Sequence, residues 1–260
     1  MPPFLDLPPR SGKPRERGLT HVLDSGLSVA EVESLVEVAG AAVDLVKLGW
    51  GTAIVTENLA AKLACYRAHE IPVVLGGTLT ELAIAQDRVE QLVAWLHELG
   101  LIHVEISDGT IELPHERKLA LIERLAREFV VLSEVGSKDD TRIMAPYVWV
   151  EQIESELAAG AWKVIAEARE SGTAGIYRAD GEVRMGLIDE IAHAVPVERL
   201  LFEAPRKEQQ VWFLRRFGTE VNLGNIAPRD VLSLETLRLG LRADTAGTDS
   251  GRAATERSSP

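Results

Sequence analysis

Short runs of β-branched and other apolar residues alternate along the chain with segments in which apolar residues recur at helical spacing. This alternation predicts eight β-strands, with helices between them. The predicted strands cover residues 19–24, 43–49, 72–78, 103–109, 130–136, 162–168, 199–204 and 220–226.

The helical segments carry an apolar stripe and recognisable start signals. The clearest helix is predicted over 28–42, where Ser28 stands at the N-cap position and Glu31 follows three residues later. This spacing is typical of a capping box, in which each side chain bonds the other residue's backbone N–H. Further helices are predicted over 85–100 and, as the last element, 233–242.

Eight strand–helix units in a chain of 260 residues predict a (β/α)₈ TIM barrel of the α/β class, built as a single domain. A doubly wound open sheet is the alternative. We place the barrel domain at 18–242, after a proline-containing N-terminal extension at 1–17 that is either mobile or covers one barrel end. The small polar residues of 243–260 predict a disordered tail.

Polar side chains stand near the carboxyl end of most predicted strands. A surface turn explains any one of them but not their repetition, and barrel enzymes carry their chemistry at this end. They are Asp24, Lys47, Glu105, Ser107, Asp108, Glu134, Glu167, Glu203, Asn222 and Asn225.

The acidic members supply the hard oxygen ligands that Mg²⁺ prefers. We expect Mg²⁺ among Glu105, Glu134 and Glu167, with Asp108 or Glu203 behind these ligands. Cations at the same end suit carboxylate, phosphate or sulfur oxyanions; they are Lys47, Lys138, Arg169, Arg206 and Lys207. Together they favour enolate-type chemistry on a small polyanion, unless acids and bases merely pair as structural salt bridges.

Composition narrows the class of partner. The net charge of −12 and the pI near 5.1 argue against a nucleic-acid or anionic-membrane surface. One cysteine, Cys65, excludes an internal disulfide framework, and no apolar run has the length of a membrane span. The first 17 residues lack the apolar stretch of a signal peptide, so we expect a soluble, cytoplasmic protein.

Long motifs, in order from about Lys13 to Thr245, resemble phosphosulfolactate synthase. They are KPRERGLTHVLDSGL, VDLVKLGWGTA, GGTLTELA, VEISDGTIELP, SEVGSKDD, EARESGTAGIY, LLFEAPRKEQQVWFLRRFG and VNLGNIAPRDVLSLETLRLGLRADT. The resemblance implies a Mg²⁺-dependent barrel that adds sulfite to phosphoenolpyruvate, giving (2R)-phospho-3-sulfolactate, the opening step of coenzyme M synthesis in methanogens. It also implies a homo-oligomer, and relatives that make no coenzyme M leave the pathway open.

By this resemblance, a lysine in the SEVGSKDD loop donates a proton, and we assign that role to Lys138. We assign catalysis to Lys138, Lys47 and Glu134. Contacts with the substrate are assigned to Lys13, Arg15, Asp24, Lys47, Arg169, Ser171, Arg206, Lys207, Asn222 and Asn225.

The chain departs from the family at one position. Family members often read EVGKK where this chain reads EVGSKDD, so that Ser137 replaces the first lysine and Lys138 remains. Three alternatives therefore stay open: a related barrel enzyme with another nucleophile or phosphorylated enolate, a non-catalytic relative that acts through protein contacts, and a sugar-phosphate aldolase. The aldolase would need a Schiff-base lysine in a strand, for which Lys47 and Lys163 are the candidates.

Overall fold

The structure is a computed structural model that describes residues 4–136, 144–168 and 171–247. Eight short parallel strands form one sheet, in the order β3-β2-β1-β8-β7-β6-β5-β4. The strands are β1 Thr20–Asp24, β2 Leu45–Leu48, β3 Val73–Leu75, β4 His103–Ile106, β5 Val130–Val135, β6 Lys163–Ala166, β7 Leu200–Glu203 and β8 Leu223–Ile226.

Strand β1 pairs with both β2 and β8, and the two ends of the ladder, β3 and β4, lie against each other. Neighbours in sequence are therefore neighbours in space, and the last strand returns to the first. This closure confirms the (β/α)₈ barrel and is incompatible with an open doubly wound sheet.

Helices surround the strands. Ser28 and Glu31 form the predicted capping box at the start of α1, and Gly77 begins a helix inside the predicted third strand. The helices are α1 Val29–Ala39, α2 Thr52–Val55, α3 Leu59–Ala68, α4 Gly77–Ala85, α5 Val89–Glu98, α6 His115–Leu125, α7 Pro146–Ala158, α8 Met185–Ala194, α9 Lys207–Phe217 and α10 Val231–Arg238.

Two apolar cores hold the barrel. The larger lies between the strands and the surrounding helices and contains residues such as Val22, Val46 and Val164. The smaller is a layer inside the barrel, formed by Leu45, Val74, Leu132, Ile165 and Leu201. Because side chains alternate along a strand, residues two positions beyond this inner layer also point into the barrel.

The N-terminal extension covers the amino-terminal end of the barrel. Arg10 pairs with Glu220 and Glu235, and Lys163 at the start of β6 donates to the carbonyl of Glu16. Past the last helix, Thr245 is buried and donates to the carbonyl of Leu237. The described part of the predicted tail, 243–247, therefore includes a buried residue, and 248–260 lie outside the described residues. In the described ranges, no helix combines the length and the apolar composition that crossing a membrane requires.

Candidate active site

Five charged side chains form a ring at the carboxyl end of the barrel. Four of them stand two residues beyond a member of the inner apolar layer, as Glu134 does after Leu132 and Glu203 after Leu201. All five are buried. The ring is Lys47 on β2, Glu105 on β4, Glu134 on β5, Glu167 directly after β6 and Glu203 on β7. The sequence predicted these five residues, and the structure places them around one axis.

Lys47 is the centre of the ring. Its Nζ lies 2.9 Å from Oε1 of Glu134, 3.2 Å from Oε1 of Glu105 and 3.4 Å from Oε1 of Glu203. Burial by itself lowers the pKa of Lys47, but the three carboxylates outweigh it and raise that pKa well above its ordinary value. Lys47 is therefore a permanent cation at neutral pH.

Glu105 receives a second donor from the start of α4. The backbone N–H of Gly77 donates to its Oε1 at 2.6 Å, an arrangement that the positive end of a helix favours. Burial and the neighbouring Glu134 carboxylate raise the pKa of Glu105 above its usual range. Its other oxygen, Oε2, is buried, and no described residue donates a hydrogen bond to it.

The GGT motif explains how α4 comes so close to β4. A Cβ on Gly77 would lie 2.3 Å from Oγ of Ser107, so only glycine fits between these elements. Thr80, one turn later in α4, donates to the backbone carbonyl of Glu105 at 2.6 Å. The glycine thus serves a contact within the protein.

Glu203 and Glu167 are fixed by the loop after β6. The backbone N–H of Ala168 donates to Oε2 of Glu203 at 2.7 Å, and Tyr177 from the same loop donates to the backbone carbonyl of Glu203. Burial and Glu203 raise the pKa of Tyr177 well above its usual value, so the phenol keeps its proton. Gly175, with φ +66°, passes so close to the carbonyl of Glu167 that a side chain there would collide with it.

Asp108 belongs to a second network beside the ring. Its Oδ1 accepts from Nζ of Lys118 at 2.9 Å, and the same Nζ pairs with Glu156 at 2.9 Å and donates to the backbone carbonyl of Glu134. Lys118 is 1% exposed, and burial lowers its pKa less than the two acids raise it. It joins the β4–α6 loop, the end of β5 and α7 directly behind the ring.

Sequence reasoning missed three residues of this supporting structure: Lys118, Glu156 and Glu81. Glu81 in α4 accepts hydrogen bonds from Ser107, Gly109 and Thr110 and so holds the β4–α6 loop. A signal for the other two was present, because each lies at helical spacing from buried apolar residues of its own helix: Lys118 with Ile122 and Leu125, and Glu156 with Trp149 and Ile153.

Four predicted substrate contacts lie away from the ring. Asp24 faces the surrounding helices, where its carboxylate pairs with Lys62 and accepts from Tyr66. The other three, Lys13, Arg15 and Asn222, are at the amino-terminal end of the barrel and bond mainly to the backbone of neighbouring segments.

The other predicted contacts that the structure describes lie near the carboxyl end. Arg206 is exposed and, with Arg178 and Arg184, lines a cavity of about 1170 Å³ between the β6–α8 loop and α9. Lys207 pairs with Asp244 at 2.8 Å, and Ser171 is exposed in the β6–α8 loop. Lys138 and Arg169 lie outside the described residues, as does Ser137.

Asn225 sits on an irregularity of β8. The register of β8 against β1 shifts between Leu223 and Ile226, and Asn225 there has φ +54°, a left-handed conformation that asparagine tolerates better than most residues. Its Oδ1 is buried and has no hydrogen-bond partner in the described part of the chain. Bulges of this kind re-aim side chains next to active sites.

The ring carries more acid than base, which suits a cation. The donors are carboxylates, the kind that Mg²⁺ prefers, and Oε2 of Glu105 is left over while Lys47 holds the Oε1 atoms of three glutamates. In residues 4–136, 144–168 and 171–247, however, no three acidic, histidine or cysteine side chains are grouped as a metal cluster. The ring thus has the chemistry for a divalent cation, without a ready cage for one.

Fold and ring together define a class: a (β/α)₈ barrel with a buried lysine–carboxylate site at the carboxyl end of its strands. Barrels of the same fold include 3-keto-L-gulonate-6-phosphate decarboxylase from Vibrio cholerae, with a TM-score of 0.53 and 11% identity, covering 84% of this chain and 96% of that one.

The chain belongs to the (2R)-phospho-3-sulfolactate synthase (ComA) family, whose model matches residues 8–244. It is similar to phosphosulfolactate synthase of Methanothermobacter thermautotrophicus, with 43% identity over 246 residues, covering 92% of this chain and 95% of that protein. The Bacillus subtilis phosphosulfolactate synthase is 41% identical over 244 residues, covering 93% and 97%. Because these relatives are named as synthases, the comparison supports an enzyme.

Proposed function

We propose that this protein adds sulfite to phosphoenolpyruvate and forms (2R)-phospho-3-sulfolactate. Family membership over residues 8–244 supports the substrates. The observation that carries the proposal is Lys47, a buried cation held by three carboxylates at the end of the barrel where such enzymes act.

In the proposed reaction the sulfur lone pair of sulfite forms a bond to C3, the C2–C3 π bond breaks, and C2 takes up a proton. Negative charge builds on the substrate carboxylate as an enediolate before the proton arrives. Lys47 supplies a fixed positive charge for it, and the raised pKa of Lys47 rules it out as the proton donor at neutral pH. Lys138 remains our proposed donor.

Substrate anions require further cations. Arg206 and Lys207 lie at the start of α9, beyond the end of β7, where barrels often bind phosphate. With Arg169, we propose that they hold the substrate phosphate and the incoming oxyanion. Arg178 and Arg184 also line the adjoining cavity, where Asp180, Glu182 and Glu208 balance the charge of the arginines.

We propose that Mg²⁺ binds in the ring through Glu105 and Glu134, supported by Glu167 and Glu203. Its chemical contribution would be a second positive charge for the developing enediolate. Asp108 is a weaker candidate, because its carboxylate is bonded to Lys118.

The aldolase alternative finds little support. Lys47 stays protonated, whereas a Schiff-base lysine must lose its proton. Burial lowers the pKa of Lys163 to about 8, but its Nζ donates to the carbonyls of Glu16 and Glu198 at the opposite end of the barrel.

The test is incubation with phosphoenolpyruvate, sulfite and Mg²⁺, followed by mass spectrometry for the sulfonated product. We expect product from the intact protein, none after chelation of Mg²⁺, and none from Glu134→Gln. Glu128→Gln, on the exposed outside of the barrel, is the matched control and should behave as the intact protein does.

Three results would change the proposal. Binding of phosphoenolpyruvate without product would favour another nucleophile, in line with Ser137, and no binding at all would favour a non-catalytic relative. Product from Lys138→Ala would overturn the proton donor. The cytoplasmic location and the homo-oligomeric state stay predictions.

A further inference from the structure

A second cavity lies at the opposite end of the barrel. It has a volume of about 700 Å³ and is enclosed by the N-terminal extension, the start of several strands and the short 3₁₀ helix Gly40–Ala42. This volume is in the range of small-molecule sites. No residue of the charged ring lines it.

The inner apolar layer separates the cavity from the ring. Leu45 lines the cavity, and Lys47 is two residues further along the same strand and side of the sheet. A ligand in this cavity would therefore not touch the ring, which makes the two sites distinct.

The walls of the cavity are apolar and aromatic. Leu19, Leu45, Val130 and Pro72 supply aliphatic surface. The rings of His103 and Trp162 meet edge-on, with centroids 6.1 Å apart at 67°. Aromatic edges of this kind pack well against a flat ligand ring.

The charges around the cavity do not favour an anion. Lys13 donates to two backbone carbonyls, and Arg15 pairs with Asp44 at 2.9 Å. The lining thus contains three acids, because Glu16 and Glu70 join Asp44, against only two bases. Both bases already have partners. A phosphate or sulfonate would thus meet net negative charge.

His103 provides a polar group for a neutral ligand. The residue is 7% exposed, and burial lowers its pKa to about 4, so the imidazole is uncharged at neutral pH. In the described part of the chain, the Nδ1 of His103 is buried without a hydrogen-bond partner. A buried imidazole that lacks partners is costly, and a ligand atom facing it would recover part of that cost. The other cavity histidine, His69, is exposed at the rim.

We propose that the cavity at the amino-terminal end of the barrel binds a small, uncharged heteroaromatic molecule, which packs against Trp162 and hydrogen-bonds to His103. A fused two-ring system fits within the cavity of about 700 Å³, with the buried His103 as its polar anchor.

Benzimidazole near pH 8 is a suitable probe, because it is uncharged and can both donate and accept a hydrogen bond. Isothermal titration calorimetry of the whole chain should show saturable binding. Ala41→Trp fills the cavity from its exposed rim and should abolish binding, whereas Val38→Trp, exposed on α1 and outside the cavity, should leave it unchanged.

A comparison of two ligands in one variant tests the hydrogen bond to His103. His103→Phe keeps an aromatic ring and removes both nitrogens, so benzimidazole should bind about tenfold more weakly. Indene has the same fused-ring shape without nitrogen, and its affinity should not change in this variant.

Absence of saturable benzimidazole binding, or equal binding by Ala41→Trp, would overturn the site. Binding of inorganic phosphate that Ala41→Trp abolishes would overturn the proposed ligand class. None of these measurements depends on synthase activity, so they are independent of the function proposed above.

Discussion

Lys47 keeps a charge in a place where charge is expensive. It is 7% exposed, and transfer of an ammonium group from water into a protein interior costs several kcal/mol unless partners compensate. Three glutamates do so here, each with Oε1 within 3.4 Å of Nζ. The lysine and its glutamates therefore depend on one another.

Lys47→Met should reveal this dependence. Removal of the cation leaves buried carboxylates facing each other, so the free energy of unfolding near pH 8 should fall by about 3–5 kcal/mol. The loss should shrink near pH 5, where Glu105, whose pKa is raised by burial and by Glu134, is protonated. Denaturant unfolding at pH 8 and at pH 5 measures the two losses. Lys207→Met is the control: it breaks the exposed pair with Asp244 and should cost less than about 1 kcal/mol. Equal losses in the two variants would contradict the buried network.

The neutral imidazole of His103 predicts a pH dependence of stability. Its pKa is about 4 in the folded chain and near the ordinary 6.5 when unfolded, because burial disfavours the charged form. Between these two pKa values the unfolded chain binds more protons than the folded chain. The contribution of His103 to the free energy of unfolding is therefore fully present above pH 6.5 and is lost as the pH falls toward 4, at up to about 1.4 kcal/mol per pH unit.

His103→Phe removes this group. The difference in unfolding free energy between the intact protein and the variant should therefore change with pH between about 6.5 and 4, and be flat from pH 7 to 8. A difference that is constant across the whole range would show that His103 is not held neutral by the fold.

At the scale of elements, close packing of α4 on β4 positions Glu105. The GGT motif brings Gly77 against Ser107 and against the carboxylate of Glu105. The motif alone did not identify these partners, because they lie on or directly after a strand that begins 26 residues later than Gly77 in the chain.

Gly77→Ala should separate these elements. Its Cβ would overlap Ser107, and we expect a loss of about 1–3 kcal/mol in the free energy of unfolding. Gly186→Ala is the matched control: it lies in α8, nothing is within 4 Å of its Cβ position, and the helix should gain up to about 1 kcal/mol. Thermal and denaturant unfolding compare the two. Equal stability of Gly77→Ala and Gly186→Ala would contradict the close packing of α4 against β4 at Gly77.

At the scale of the whole molecule, the N-terminal extension contacts the last strand–helix unit of the barrel. Arg10, whose side chain is 4% exposed, pairs with Glu220 before β8 and with Glu235 in α10. It also donates to the carbonyl of Gly18. These contacts help to close the barrel, because they join the start of the chain to its last strand and helix.

Arg10→Met should loosen this closure. Glu235 loses its cation and Glu220 keeps only the exposed Arg17, so we expect a loss of about 2–4 kcal/mol. Arg17→Met is the control, since its side chain is 66% exposed and lies 3.5 Å from Glu220; it should cost less than about 1 kcal/mol. Equal denaturation midpoints for the two variants would show that the extension does not stabilise the barrel.

Sequence reasoning located the ring but not its surroundings. Glu105, Glu134 and Glu203 were found because each lies at the end of an apolar strand, and strand ends of a parallel barrel meet at one face. Asp24 satisfies the same rule, yet its side chain points to Lys62 outside the barrel. The length of a short strand is known only to one or two residues, and one residue decides which side a side chain faces.

The sequence by itself determined the barrel, the family and the ring of charged residues, because these follow from periodicities of two and 3.6 residues and from motifs that are contiguous in the chain. Only the tertiary structure decided that Lys47 is the centre of three carboxylates, that Lys118 and Glu81 hold the loop beside them, and that Lys13 and Arg15 lie at the other end of the barrel. The reason is physical: pairing, burial and pKa depend on distances between residues far apart in the chain, and those distances are fixed only when the barrel closes.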